Sequence, residues 1–140
     1  MSRITKNFTL DELTHSNTAK ARKIPNQPGK VEKENLVKLA IGLLQPLRDL
    51  YGKPMVVNSG YRSPEVNKLV GGVPASQHTK GQAADISCQS PRELQKLLIK
   101  SGLPFDQAIL YDDGRNNFLH LSFNEGKNRK QVLYSKGTRP

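Results

Sequence analysis

The chain has 140 residues, carries 22 Lys and Arg against 12 Asp and Glu for a net charge of +10, and holds one cysteine. That length suits one domain, spanning residues 1–140, that buries a core without metal or disulfide support, and a lone Cys88 excludes an intrachain disulfide. No apolar run approaches the roughly 20 residues needed to cross a bilayer, and Met1-Ser2-Arg3-Ile4-Thr5-Lys6 lacks the apolar stretch of a secretory signal, so a soluble monomer made in the cytoplasm is expected.

Thr9-Leu10-Asp11-Glu12 has the form of a capping box and predicts a short helix through about His15, packed through Phe8 and Leu13. His15 lies on a polar stretch and reads as a surface residue. After the turn-rich Ile24-Pro25-Asn26-Gln27-Pro28-Gly29, the spacing of Leu36, Ala40, Leu43, Leu47 and Leu50 predicts one buried helical face between Val31 and Leu50. Pro46 within it is expected to kink the helix or open a turn, because it lacks the donor and crowds the preceding carbonyl.

Pro54 to Ser59 reads as a strand, Gly60-Tyr61-Arg62 as the turn out of it, and Ser63-Pro64 as the cap and first position of a helix through Leu69. Arg62 therefore stands at a strand end, where a rigid support presents side chains. Gly71-Gly72 is a turn without the ending of a phosphate loop, and Gly81 lets the chain bend between His78 and Asp85. In Ala83-Ala84-Asp85-Ile86-Ser87-Cys88 the alternation puts Asp85 and Ser87 on one face, Ile86 and Cys88 on the other, and Cys88 reads as a small buried hydrophobe.

Ser90-Pro91-Arg92-Glu93 caps a helix buried by Leu94, Leu97 and Leu98 and ended by Gly102. Phe105 to Tyr111 and Asn117 to Phe123 form a hairpin about Asp112-Asp113-Gly114-Arg115-Asn116, and a second hairpin turn at 124–128 leads to a strand from Lys130 to Tyr134. Leu119, Leu121 and Phe123 alternate with His120 and Ser122, so His120 points away from the apolar face. Short connections between strands favour an antiparallel sheet flanked by helices, an α+β domain.

His78, Asp85 and His120 are two imidazoles and a carboxylate that could meet at one metal ion. Such a set leaves the fourth corner of a zinc tetrahedron open, which is the layout of a hydrolase rather than of a structural staple. As bare spacing the signal is weak. The run Tyr61-Arg62-Ser63, Ser76-x-His78-x-x-Gly81-x-Ala83-x-Asp85 and His120 is far more specific, and it resembles the zinc D-alanyl-D-alanine carboxypeptidases and related peptidoglycan peptidases, including small phage-type endolysins. Phe105-Asp106-Gln107 resembles the strand entering the last ligand hairpin of small members of that group.

The resemblance implies zinc held by His78, Asp85 and His120, a substrate carboxylate clamped by Arg62, and Ser76 beside the substrate, with Gln107 adding a hydrogen bond from the facing strand. Many relatives carry Glu or Asp three residues before the last His; this chain has Asn117, and an amide cannot take a proton. Asp112 and Asp113 are the nearest acidic candidates for the general base. The activity so implied is cleavage of a stem-peptide bond, as a D,D-carboxypeptidase or as an endopeptidase lysin, and the alternative is a zinc-bearing wall-binding module without turnover. Action at the wall would require release or export.

The positive charge favours anionic partners, including cell-wall polymers. Lys127, Arg129, Lys130, Lys136 and Arg139 form the densest basic segment, yet only Tyr134 interleaves with it and no nucleic-acid motif accompanies it, so no specific nucleic-acid binding is expected.

Overall fold

The computed structural model describes residues 3–140. Helix α1 (Leu10–Thr14) starts with the capping box: the Thr9 hydroxyl accepts from the Glu12 N–H, and the Glu12 carboxylate accepts from the Thr9 N–H. Phe8 and Leu13 on either side of this cap are fully buried. A second short helix, α2 (Asn17–Arg22), follows from the Ser16 cap with no apolar period to announce it in the sequence.

The long helical segment has three parts: α3 (Lys30–Leu39), a π-helical turn (Ala40–Leu44) and α4 (Gln45–Tyr51). Of the two outcomes expected at Pro46 the helix shows the opened turn, just before the proline, in which the Gln45 N–H donates to the Ala40 carbonyl. The ring and its missing donor then fall in the first turn of α4, where proline is tolerated. The wider turn also shifts the helical phase. Leu36, Leu39, Ala40, Leu43, Leu44 and Leu47 are wholly buried, while Leu50, expected in the core, is 55% exposed.

The sheet has the order β1 (Val56–Ser59), β2 (Ala83–Ser87), β4 (Asn117–Ser122), β3 (Gln107–Asp112), β5 (Gln131–Tyr134). One face carries Ala84, Ile86, Ala108, Leu110, Leu119 and Leu121 into the same core as the leucines of α3 and α4 and Leu94 and Leu98 of α6 (Pro91–Ser101). Burying a leucine is worth about 1.5–3 kcal/mol, so this face and its helices supply most of the cohesion. Cys88 is partly buried against that core, and burial raises its thiol pKa.

The α+β class agrees with the sequence reading, with one change of topology. β1, β2, β4 and β3 are mutually antiparallel neighbours, but β5 is no hairpin partner of β4; it runs parallel to β3 along the other edge. Strand β4 already has β2 and β3 on its two sides, so it offers no free edge. The chain leaves β4 beside the start of β3, where the Asp106 N–H donates to the Ser122 carbonyl, and continues from there along the open edge of β3. The Lys130 and Gln131 amides open that pairing by donating to Phe105 and Asp106.

Among the described residues no helix is long and apolar enough to cross a membrane. Helix α5 (Pro64–Leu69), whose Ser63 hydroxyl caps the Val66 N–H, packs against α2 and against a 3-10 turn over Gln77–Lys80, and that turn meets α3 and β2. Gly81 ends that turn at φ +74°, with its α-carbon against the Glu32 backbone, so both conformation and space require glycine.

Asp106 locks the loop after β4 to the start of β3. It is almost fully buried, and its carboxylate accepts from the Arg129 backbone N–H and guanidinium and from the Gln77 amide. The Arg129 bond, ahead of opposing burial, holds its pKa below the ordinary carboxylate range. A lowered folded pKa stabilises the fold fully above the unfolded value of about 4 and ceases to do so as pH falls through the folded value. Asp106→Asn should therefore cost about 1–3 kcal/mol in denaturant melts at pH 7, with the deficit shrinking in melts near pH 3. An equal deficit at both pH values would show that the carboxylate charge is not the cause.

Candidate metal centre

Three elements on the polar face of the sheet bring the site together. Asp85 in β2 and His120 in β4 are direct cross-strand partners, and the alternation that turns Leu119 and Leu121 inward turns both of them outward. His78 comes from the 3-10 turn above the sheet, where Ser76 accepts its backbone N–H. His78 and Asp85 are buried and His120 is nearly so. One ligand atom from each of the three can be chosen so that all lie within 4.8 Å of one another.

Hydrogen-bond polarity decides what the cluster wants at its centre. His78 Nδ1 is 2.7 Å from the Gly60 carbonyl, an acceptor, and its Nε2 is 3.3 Å from Asp85 Oδ1, another acceptor. His120 repeats the pattern: Nδ1 is 2.9 Å from the same Asp85 oxygen and Nε2 is 3.1 Å from Gln77 Oε1. A neutral imidazole has one N–H and one lone pair, so each ring facing acceptors at both nitrogens is short of one positive group on the Asp85 side. A cation between the three would supply it. Each ring would then keep its outer N–H on a protein oxygen and turn its lone pair inward, as metal-bound histidines do.

The donor set of two imidazoles and one carboxylate fits zinc with room for a further ligand. Burial pushes the Asp85 carboxyl upward, but the hydrogen bonds and charges of His120 and His78 outweigh it and hold the pKa well below the usual range. Arg62 Nη2 lies 3.3 Å from Asp85 Oδ2, so the guanidinium occupies the carboxylate oxygen that does not face the histidines.

A family model described as Peptidase M15 matches residues 6–122, most of the chain and all three of these side chains. The chain belongs to the Peptidase M15 family. M15 peptidases are zinc-dependent metallopeptidases, in agreement with the donor set at His78, Asp85 and His120. Comparison with curated proteins finds no match to the chain.

The other residues singled out in this M15 chain divide into two groups. Arg62 and Ser76 line a cavity of about 320 Å³ together with His78, Asp85 and His120. Arg62 is held by Ser59 through Nε, Asn67 through Nη1 and Asp85 through Nη2, which leaves two of its five N–H groups without a partner among the described residues. Gln107 lies in an adjoining groove of about 450 Å³, with its amide donating to Gln131. Val73, Ser76, Ile109 and His120 line both spaces, so cavity and groove meet over the metal centre.

Asp112 and Asp113 do not join the group. Asp112 alternates with Tyr111 along β3, which aims it at α6, where Arg92 pairs with it at 3.0 Å. Asp113 is consumed by its own turn, accepting from the Arg115 and Asn116 backbone N–H groups. Asn117 is the cross-strand partner of Asp112 and is exposed. His15 is exposed and bonded to Asn17, apart from the site.

The sequence reading missed Tyr111, Phe118 and Gln77. Tyr111 and Phe118 are cross-strand partners that stack at 4.4 Å and wall the cavity beside the histidines. Burial first, and then the charge of Asp85, raises the Tyr111 pKa, so its hydroxyl keeps its proton at neutral pH. The same alternation that placed His120 could have placed both, since Phe118 is two residues before it. Gln77 sits inside the quoted motif, but nothing in sequence shows that its side chain reaches a histidine 43 residues downstream.

Proposed function

We propose that the protein is a zinc peptidase that hydrolyses a peptide bond of the peptidoglycan stem, acting as a D-alanyl-D-alanine carboxypeptidase. The observation that carries this reading is the position of Arg62: it lines the cavity that also holds His78, Asp85 and His120, and it keeps two N–H groups without a partner among the described residues. An always-charged, fork-shaped donor at that place suits the terminal carboxylate of a short leaving residue. Bound zinc supplies Lewis acidity toward water and the scissile carbonyl.

The remaining roles belong to the chain. His78, Asp85 and His120 hold the metal, with Gly60 and Gln77 orienting the two rings from behind. Arg62 fixes the substrate's end and, through Asp85, the carboxylate that binds the metal. Ser76 lies where cavity and groove meet, and Gln107 lines the groove that receives the rest of the stem. The Tyr111 hydroxyl, kept protonated, is placed to donate a hydrogen bond to a developing oxyanion or leaving group. The +10 charge favours approach to anionic wall polymers.

A second reading has one observation in its favour. Among the described residues lining the 320 Å³ cavity, Asp85 is the one carboxylate, and it is committed to the metal centre. A site without a second acid fits a zinc-bearing module that binds the wall and does not cut it. Mass analysis of purified muropeptides after incubation with the zinc-loaded protein separates the readings. Loss of a terminal alanine is the expected result. Severed crosslinks or stems would make the protein an endopeptidase, and sacculus binding with no product would favour the binding module.

A further inference from the structure

We infer that Arg129, Asp106 and Gln77 form a polarised chain of hydrogen bonds that sets the tautomer and ring orientation of His120 and thereby strengthens metal binding. This inference rests on the metal-centre reading. Its starting point is a group with no choice, because a guanidinium only donates. Arg129 gives Nε to Asp106 Oδ1 at 2.8 Å and Nη2 to Oδ2 at 2.9 Å, and its backbone N–H adds a third bond to Oδ1 at 3.1 Å. An ionised carboxylate only accepts, so the group facing its remaining capacity has to be a donor.

That donor is the Gln77 amide nitrogen, 2.7 Å from Asp106 Oδ2. An amide whose NH2 end is so fixed presents its oxygen at the other end, and Gln77 Oε1 stands 3.1 Å from His120 Nε2. The Gln77 oxygen holds the His120 proton at Nε2 and so favours the lone pair at Nδ1, against the Asp85 oxygen that competes for that proton until a cation takes its place. Every link up to Gln77 has one allowed direction, and the direction originates at Arg129 in the loop between β4 and β5. Asp106 is almost fully buried and anchored through its own backbone to Ser122 and Gln131, so the chain is stiff where it passes the amide.

Without the Gln77 oxygen, His120 is free to carry its proton on Nδ1, a form that has to be undone before the ring can ligate. Losses of hydrogen-bonding partners behind a metal ligand typically weaken the metal by about 10–100-fold. Gln77 and Asp106 are positioning residues in this scheme, since neither reaches the metal position.

The test compares the full chain with Gln77→Met, which keeps the length of the side chain and removes both amide functions, and with Asp106→Asn. Arg92→Gln, which breaks an ion pair on the opposite face, is the control. Zinc affinity is measured by competition with a chromogenic chelator, and the His120 tautomer by 15N NMR of the metal-free protein, followed across pH so that the neutral ring is read. Gln77→Met should bind zinc 10–100-fold more weakly and show increased Nδ1–H signal, Asp106→Asn should show a smaller change in the same sense, and Arg92→Gln should match wild type. Wild-type affinity and an unchanged Nε2–H signal in a folded Gln77→Met would overturn the inference. A wild-type chain that binds no zinc would sink the metal-centre reading instead, while the metal-free NMR would still judge the hydrogen-bond chain.

Discussion

Replacing His120 by alanine is expected to remove zinc from the protein and reduce peptidase turnover by on the order of 10³-fold or more. Lewis-acid stabilisation of developing charge is worth several kcal/mol, and each 1.4 kcal/mol is a factor of ten in rate. The fold should survive, because His120 faces the cavity while its neighbours Leu119 and Leu121 carry the core contacts of β4. Elemental analysis of protein purified without chelator should give one zinc per wild-type chain and none in the variant. His78→Ala is expected to behave alike, since the His78 Nε2 faces the same Asp85 oxygen. Full zinc content in both variants would mean that the ion, if present, is held elsewhere.

The second large effect is expected at Arg62. Arg62→Met removes the charged partner of Asp85 and the two N–H groups assigned to the substrate carboxylate. Hydrogen bonds to charged groups are worth about 1.5–3 kcal/mol each, so kcat/KM on a stem ending in a free carboxylate should fall about 10²–10⁴-fold. The two contributions are separable by a substrate whose terminal carboxylate is converted to an amide. Wild type should lose most of its rate on the amide, and Arg62→Met should treat acid and amide nearly alike. A variant that still prefers the acid as strongly as wild type would leave Arg62 with its structural bond to Asp85 and no role in reading the substrate.

In the proposed reading Arg62 and Tyr111 serve a cavity whose described lining holds one carboxylate, Asp85. Asp112 and Asp113 are the acids nearest before His120 along the chain, yet the sheet sends one to Arg92 and the other into its own turn. Proximity in sequence failed there because strand residues alternate in direction every residue, and Asp112 has the opposite parity to the Tyr111 that walls the site.

Local signals were legible wherever physics acts over a few residues. The Thr9, Ser63 and Ser90 caps, the β3–β4 hairpin and the outward turn of His120 follow from side-chain oxygens beside helix starts and from two-residue strand periodicity. The resemblance to the zinc peptidases named the three metal-binding candidates, since the bare spacing of His78, Asp85 and His120 is a weak signal. Tertiary structure decided the rest. The parallel placement of β5, the turn of Leu50 to solvent and the reach of Asp106 through Gln77 to His120 each depend on which edges and surfaces are left free after the core has packed. A sequence states each residue's chemistry and its near neighbours, whereas the direction of a hydrogen bond between residues far apart in the chain is set only when packing leaves one donor facing one acceptor.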